Sequence, residues 1–237
     1  MDTHDRQGSS RGDKRSSRAG RFWRETLKPM LVVIVLLSSF RSAIADWNDV
    51  PTSSMRPTIE VGDRVTVNRV AYDLRLPFTT ISLWHRADPQ RGDIIVFYSP
   101  VDGKRLVKRV IGVPGDRIEM VGWQLLVNDE PATYDPSRRA GASAEPAVVL
   151  REQVGDGPEH AVRLIDHRRI QRGFGPVVVP AESYFVMGDN RDESYDSRAW
   201  GYVPRSSVLG QAFGVAFSLD RDHGWRPRAE RFAQPLT

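Results

Sequence analysis

A hydroxyl and an amine are the side chains of this sequence best placed to do chemistry. Ser54 stands in Pro51-Thr52-Ser53-Ser54-Met55-Arg56-Pro57-Thr58, with a second hydroxyl, Thr52, two positions ahead of it. Lys108 stands in Leu106-Val107-Lys108-Arg109-Val110-Ile111-Gly112-Val113-Pro114-Gly115-Asp116, where strand alternation puts Leu106 and Val110 on its own face. An amine held in such low dielectric loses its preference for the charged form, and a neutral lysine is a general base. Serine with a neutral lysine is a nucleophile–base pair that needs no histidine. The histidines (His4, His85, His160, His167, His223) stand apart from both segments. No Gly-x-Ser-x-Gly elbow and no His-Glu-x-x-His cluster occurs, so neither a Ser-His-Asp hydrolase nor a metal site is expected, and no cofactor.

The elements that must position this pair read as β. Arg64-Val65-Thr66-Val67-Asn68-Arg69-Val70 alternates, and Asp93-Ile94-Ile95-Val96-Phe97-Tyr98 is a buried-type run. Residues 106–113 form another such run, with shorter candidates at 118–127 and 183–187. Gly-Asp turns at Gly62, Gly92 and Gly188, an Asp-Gly turn at Gly103 and a Pro-Gly turn at Gly115 punctuate them. Dense strands with turn residues between them predict an all-β fold of antiparallel sheets, a sandwich or partly open barrel. Residues 48–117 and 179–219 are predicted to form the catalytic core. Residues 131–160, where Pro, Ala, Gly, Arg and Glu dominate and periodicity is lost, read as a loop-rich insertion between two blocks of a single core. Residues 220–237 read as a C-terminal tail.

The chain has 237 residues and a formal net charge of +4. Residues 1–28 hold eight basic and four acidic side chains, which leaves 26 of each over the rest of the chain. Basic character confined to a tail does not describe a nucleic-acid binder, which spreads it over a folded face. There is no cysteine, which excludes disulfides and thiolate metal sites. Residues 1–27 read as a disordered basic tail. An apolar run follows, Pro29-Met30-Leu31-Val32-Val33-Ile34-Val35-Leu36-Leu37-Ser38-Ser39-Phe40, then Arg41 and Ser42-Ala43-Ile44-Ala45. Two export readings compete. One is a signal peptide cleaved after Ala43-Ile44-Ala45. The other, favoured here, is an uncleaved anchor over 28–47, with Arg41 snorkelling and Trp47 at the interface. Either one puts the tail in the cytoplasm and the remainder outside. An anchor would also hold Ser54 near the membrane, since the residues from Ala45 to Ser54 span about 30 Å at most.

In four blocks the chain resembles the type I bacterial signal peptidases, membrane-anchored Ser/Lys endopeptidases that remove signal peptides from exported preproteins. The blocks are residues 51–58 with Val61-Gly62-Asp63, Arg91-Gly92-Asp93 with its apolar run, residues 108–116, and Gly188-Asp189-Asn190-Arg191-Asp192-Glu193-Ser194-Tyr195-Asp196-Ser197-Arg198 continuing to Pro204. They stand in the family's order, and the resemblance implies an all-β catalytic core of two antiparallel sheets with residues 118–178 forming an inserted smaller β domain.

The resemblance implies that Ser54 is the nucleophile and Lys108 the general base. It implies that Thr52 assists the Ser54 N–H as oxyanion donor and that Ser194 orients the lysine. Asp196 and Arg198 would form a supporting ion pair, with Arg109 structural. Val50 and Val107 match the positions lining shallow pockets that admit small side chains, hence Ala-x-Ala-like cleavage sites. Asn48 departs from the family, which commonly has a bulky apolar residue there. The implied partners are preprotein signal peptides and the lipid bilayer, with the protein a monomer. Trp84, Phe78 and Leu83 read as partly core, with an exposed apolar patch dipping into the bilayer interface as the alternative. A specialised conjugative processing peptidase would share the same blocks, and an inactive tethered binding module is disfavoured by the intact Ser54, Lys108 and Thr52.

Overall fold

The strands form where β-branched and aromatic residues can be covered on both faces. In the computed structural model, which describes residues 22–34, 38, 45–76, 79, 81–135, 147–165, 173–220 and 224–236, the chain divides into two units, residues 1–42 and 43–237. In the first, residues 22–34 are helical, with Trp23–Leu27 wound as a π-helix. No helix among the described residues is long and apolar enough to cross a membrane. Most of the basic tail, residues 35–37 and 39–44 of the anchor reading, and Phe78 lie outside the described residues.

The second unit is mostly antiparallel β sheet. Its largest sheet has the order β1 (Ala45–Asp49), β2 (Asp63–Asn68), β16 (Val208–Asp220), β5 (Ile94–Tyr98), β6 (Arg105–Gly112), β14 (Ser183–Met187) and β15 (Val203–Pro204), with β17 (Arg226–Pro227) paired to β16. Alternation along β5 feeds two cores. Ile94 and Val96 pack with Val50, Met55, Ile59, Val65 and Val67. Ile95 and Phe97 pack with Tyr72, Val110, Tyr184, Val186 and Val208. Burial on both faces explains why β5 is nearly uniformly apolar. A four-stranded sheet of order β13 (Phe174–Val178), β7 (Arg117–Val121), β8 (Gln124–Val127) and β9 (Glu130–Pro131) closes a third core. There Ile118, Met120 and Leu125 meet Phe185 and Met187 of β14. A three-stranded sheet follows, of order β10 (Thr133–Asp135), β11 (Ala147–Gln153) and β12 (His160–Ile165). β3 (Asp73–Arg75) and β4 (Ser82–His85) make a separate hairpin.

Four details differ from the sequence reading. Ala45 to Trp47, read as the end of the anchor, lie in β1 and pair with β2 (Ala45 opposite Asn68). Most of the described residues of 131–160 lie in strands rather than loop. The stretch carries β10, β11 and the start of β12, whose buried Glu152 and His160 interrupt the apolar pattern that marks a strand. The C-terminal residues are not a free tail. β17 pairs with β16, Arg231 clasps the buried Asp63 through Nη2 at 2.6 Å, and Leu236 N–H donates to the Phe213 carbonyl at 3.0 Å. Leu83 and Trp84 are exposed on β4 rather than part of the core.

Candidate active site

Ser54 sits in the turn after β1, held from below by apolar anchors: its neighbour Met55 is almost wholly buried, and so is Ile59, whose N–H donates to the Met55 carbonyl. Lys108 is in the middle of β6, opposite Ile95 of β5. Only 2.5 Å separates Lys108 Nζ from Ser54 Oγ, and the two residues are 3% and 8% exposed. The ammonium donates to the hydroxyl when charged, and when the amine is neutral the hydroxyl donates to its lone pair. Burial is the main influence on the amine and pushes it down, from the ordinary 10.5 to about 8. Asp196 and Asp189 oppose this, and Arg198 reinforces it.

Both of those carboxylates have other cations. Arg198 donates to Asp196 through Nε and Nη2, each at 2.8 Å, and Gly188 N–H donates to the same carboxylate at 2.9 Å. Asp196 is fully buried. Burial alone would raise its pKa, but the hydrogen bonds and charge of Arg198 outweigh this and hold the carboxyl below its usual range. It also caps the short helix α1 (Ser197–Trp200), accepting from Arg198 N–H at 3.2 Å. Arg109 turns to the other face of β6 and grips Asp189 in bidentate fashion, at 2.9 and 2.8 Å. Its remaining nitrogen donates to the Gly92 carbonyl at 2.9 Å.

Thr52 Oγ1 lies 3.4 Å from Ser54 Oγ, on the exposed side of the turn. Val50 and Val107 join a single apolar cluster beside the pair. Ser194 is brought close, though no hydrogen bond joins its hydroxyl to Lys108. Its Oγ is enclosed and lies against Gly188, where an added Cβ would come within 2.2 Å of it and 2.3 Å of the Ser54 carbonyl oxygen. Gly188 follows Met187, the β14 partner of Arg109, so the lack of a side chain there lets the Ser54 turn and the Ser194 loop close on one another.

Sequence reasoning missed a second set of contacts. Thr58 Oγ1 donates to Asp189, and Asn190 N–H donates to the Ser54 carbonyl at 3.1 Å. Arg163 of β12 donates its N–H to the Asp189 carbonyl at 2.8 Å, so the three-stranded sheet joins the loop carrying Asn190. Beneath it, Arg191 pairs with Glu152, both buried, with His160 Nε2 3.2 Å from the same carboxylate. Burial would raise the Glu152 pKa, but Arg191 outweighs it and holds the carboxyl well below the usual range. The block of Gly, Asp, Asn and Arg at 188–191 was a signal of this; the side-chain partners were not.

The structure thus brings together a buried serine–lysine pair, a second hydroxyl and two arginine–carboxylate pairs on an antiparallel scaffold. The family described as signal peptidase, peptidase S26, matches residues 23–217, and the chain belongs to it. A signal peptidase I of Pseudomonas fluorescens is 35% identical over 202 residues, covering 80% of this chain and 70% of its own length. Another from Leptolyngbya laminosa is 33% identical over 196 residues, covering 79% and 76%. A signal peptidase I crystal structure from Enterococcus faecalis V583 aligns with 53% of this chain and 97% of its own at 30% identity, with a TM-score of 0.34.

Proposed function

We propose that the chain is a membrane-bound serine endopeptidase that removes signal peptides from exported preproteins after Ala-x-Ala-like sites, with Ser54 as nucleophile and Lys108 as general base. The observation that carries this reading is the 2.5 Å approach of Lys108 Nζ to Ser54 Oγ in a buried setting that disfavours the charged amine.

The neutral amine takes the Ser54 proton as Oγ attacks the scissile carbonyl carbon. The developing oxyanion is held by the Ser54 N–H, which donates to no described residue in the structure, and by Thr52 Oγ1. The ammonium then gives its proton to the departing amine of the mature protein, leaving the signal peptide as an ester on Ser54. Water, deprotonated by the same amine, cleaves the ester and releases the signal peptide as a carboxylate. Asp196 with Arg198, and Asp189 with Arg109, serve as scaffold. Each carboxylate is occupied by a guanidinium, which keeps it from becoming the lysine's counter-ion. Val50 and Val107 would line the small pockets that accept alanine-sized side chains, while the extended substrate adds to the sheet by backbone pairing.

The apolar run at 29–40 acts as the anchor, with the N-terminus cytoplasmic and the catalytic unit outside, working as a monomer. Two features of the second unit support bilayer contact. The β3–β4 hairpin exposes Leu74, Leu83 and Trp84. It also follows closely on Asn68, which pairs with Ala45, the end of β1 that continues the chain from the apolar run.

Purified protein in detergent, given a precursor, is expected to cut after the Ala-x-Ala site. Ser54→Ala and Lys108→Met are each expected to abolish cutting. Near-normal activity in Lys108→Met would remove the lysine from the mechanism.

A further inference from the structure

The peptide group between Ser53 and Ser54 carries the N–H assigned above to the oxyanion, and its other end is held by a side chain with no assigned role. Asn190 is fully buried, and its Nδ2 donates to the Ser53 carbonyl at 3.1 Å. The same Nδ2 donates its second hydrogen to Glu193 Oε2 at 2.8 Å, and Oδ1 accepts from Arg163 Nη1 at 3.3 Å. This pattern fixes the orientation of the amide: flipped, it would set NH2 against the Arg163 donor and an oxygen against two acceptors. The main-chain N–H of Asn190 holds the Ser54 carbonyl at 3.1 Å. One residue therefore grips the peptide groups on both sides of the nucleophile.

We propose that Asn190 is a positioning residue for the oxyanion donor, with Glu193 and Arg163 fixing its amide. A carbonyl that accepts a hydrogen bond polarises its own amide and strengthens the N–H at the other end. Holding the carbonyl also sets the direction in which that N–H points. The Ser53 carbonyl already accepts from Arg56 N–H at 3.0 Å, so Asn190 supplies the second of two bonds and its loss is felt as a weakened donor. Through Arg163 of β12, the three-stranded sheet contributes to the geometry of the reaction centre. The inference rests on the reading of Ser54 as nucleophile.

The test compares Asn190→Ala with wild type on a precursor, together with affinity for a peptide aldehyde, whose adduct with Ser54 carries an oxyanion, and for the uncleavable product peptide. The expected result is a kcat about tenfold lower, the worth of one hydrogen bond, with KM within twofold. Aldehyde affinity should fall by the same factor and product-peptide affinity should stay unchanged. Wild-type kcat, or equal losses on aldehyde and product peptide, would overturn the proposal. Should Asn190→Ala fail to fold, Glu193→Ala decides: a lowered kcat with retained KM and product affinity supports it, and wild-type kcat overturns it. Ser54→Ala run alongside separates the two ideas, because residual cutting there would refute the nucleophile rather than its positioning.

Discussion

Lys108 and Arg109 are consecutive in β6 and both nearly inaccessible, yet they are treated in opposite ways. Arg109 receives a carboxylate in bidentate geometry, and Lys108 receives a serine hydroxyl. The difference follows from strand alternation, which sends adjacent side chains to opposite faces. Arg109 takes Asp189 and Arg198 takes Asp196, so the two carboxylates nearest in influence to the lysine are already neutralised. A buried amine without a counter-ion lowers its free energy by shedding a proton.

Activity should therefore depend on the deprotonated amine. The rate at subsaturating substrate is expected to rise tenfold per pH unit below about 8 and to level off above it, since the amine is held at about 8. A profile flat from pH 6 to 9 on the order of the assay error would contradict the assignment. Its measurement needs only initial rates of precursor cleavage across buffers of equal ionic strength.

Lys108→Met should be inactive yet more stable. With the folded amine at about 8 and its ordinary value 10.5, the folded state bears the full cost of the buried charge below pH 8. Between those values the unfolded chain holds a proton that the folded chain has released, so wild-type stability rises with pH across that window. The gain from Lys108→Met at pH 7 should be up to about 3 kcal/mol, shrinking to nothing by pH ~10.5. Urea unfolding at pH 7 and pH 10 measures both ends. An unstable Lys108→Met protein at pH 7 would show that the amine contributes bonds rather than strain.

How much of this was legible in the sequence differs between the two halves of the site. Ser54 and Lys108 stood out because each broke a local pattern, a hydroxyl pair in a turn and a charge inside an apolar strand. Strand β5 stood out because burial on both faces makes it apolar, and β6 because its apolar residues surround the charges at Lys108 and Arg109. β11 and β12 did not, because Glu152, His160 and Arg163 are polar residues that the fold buries against partners far along the chain, Arg191 and Asn190 among them. Their polarity mimics a loop when the partners are unseen. Arg231 posed the same problem: its partner Asp63 lies far back along the chain and is not visible from the sequence around it.

Thr52→Val keeps the shape of the side chain and removes its hydroxyl. Loss of one oxyanion donor should lower kcat on the order of 10²-fold with little change in KM. Thr52→Ser, which restores the hydroxyl, should recover most of it. Steady-state kinetics of the two variants provide the check, and equal activity of Val and Ser forms would exclude the hydroxyl from the reaction.

Gly188→Ala should be far more damaging than a methyl group suggests. The new Cβ would stand 2.3 Å from the Ser54 carbonyl oxygen and 2.2 Å from Ser194 Oγ, so the Ser54 turn must shift. Catalysis should fall about 10²-fold or more, as a displacement near 1 Å at the reacting atoms costs. Circular dichroism and thermal unfolding should show a folded protein. A fully active Gly188→Ala would mean that the turn yields freely.

The charge on one amine remains the point on which all of this turns, and it can be read directly. The chain has only four lysines, Lys14, Lys28, Lys104 and Lys108, so protein labelled with 13C at the lysine ε-carbon gives a small set of NMR signals, with Lys108→Met identifying the one of interest. That signal is expected to titrate with a midpoint at about 8. A midpoint near the ordinary 10.5 would mean that Lys108 is charged at neutral pH and cannot be the base for Ser54.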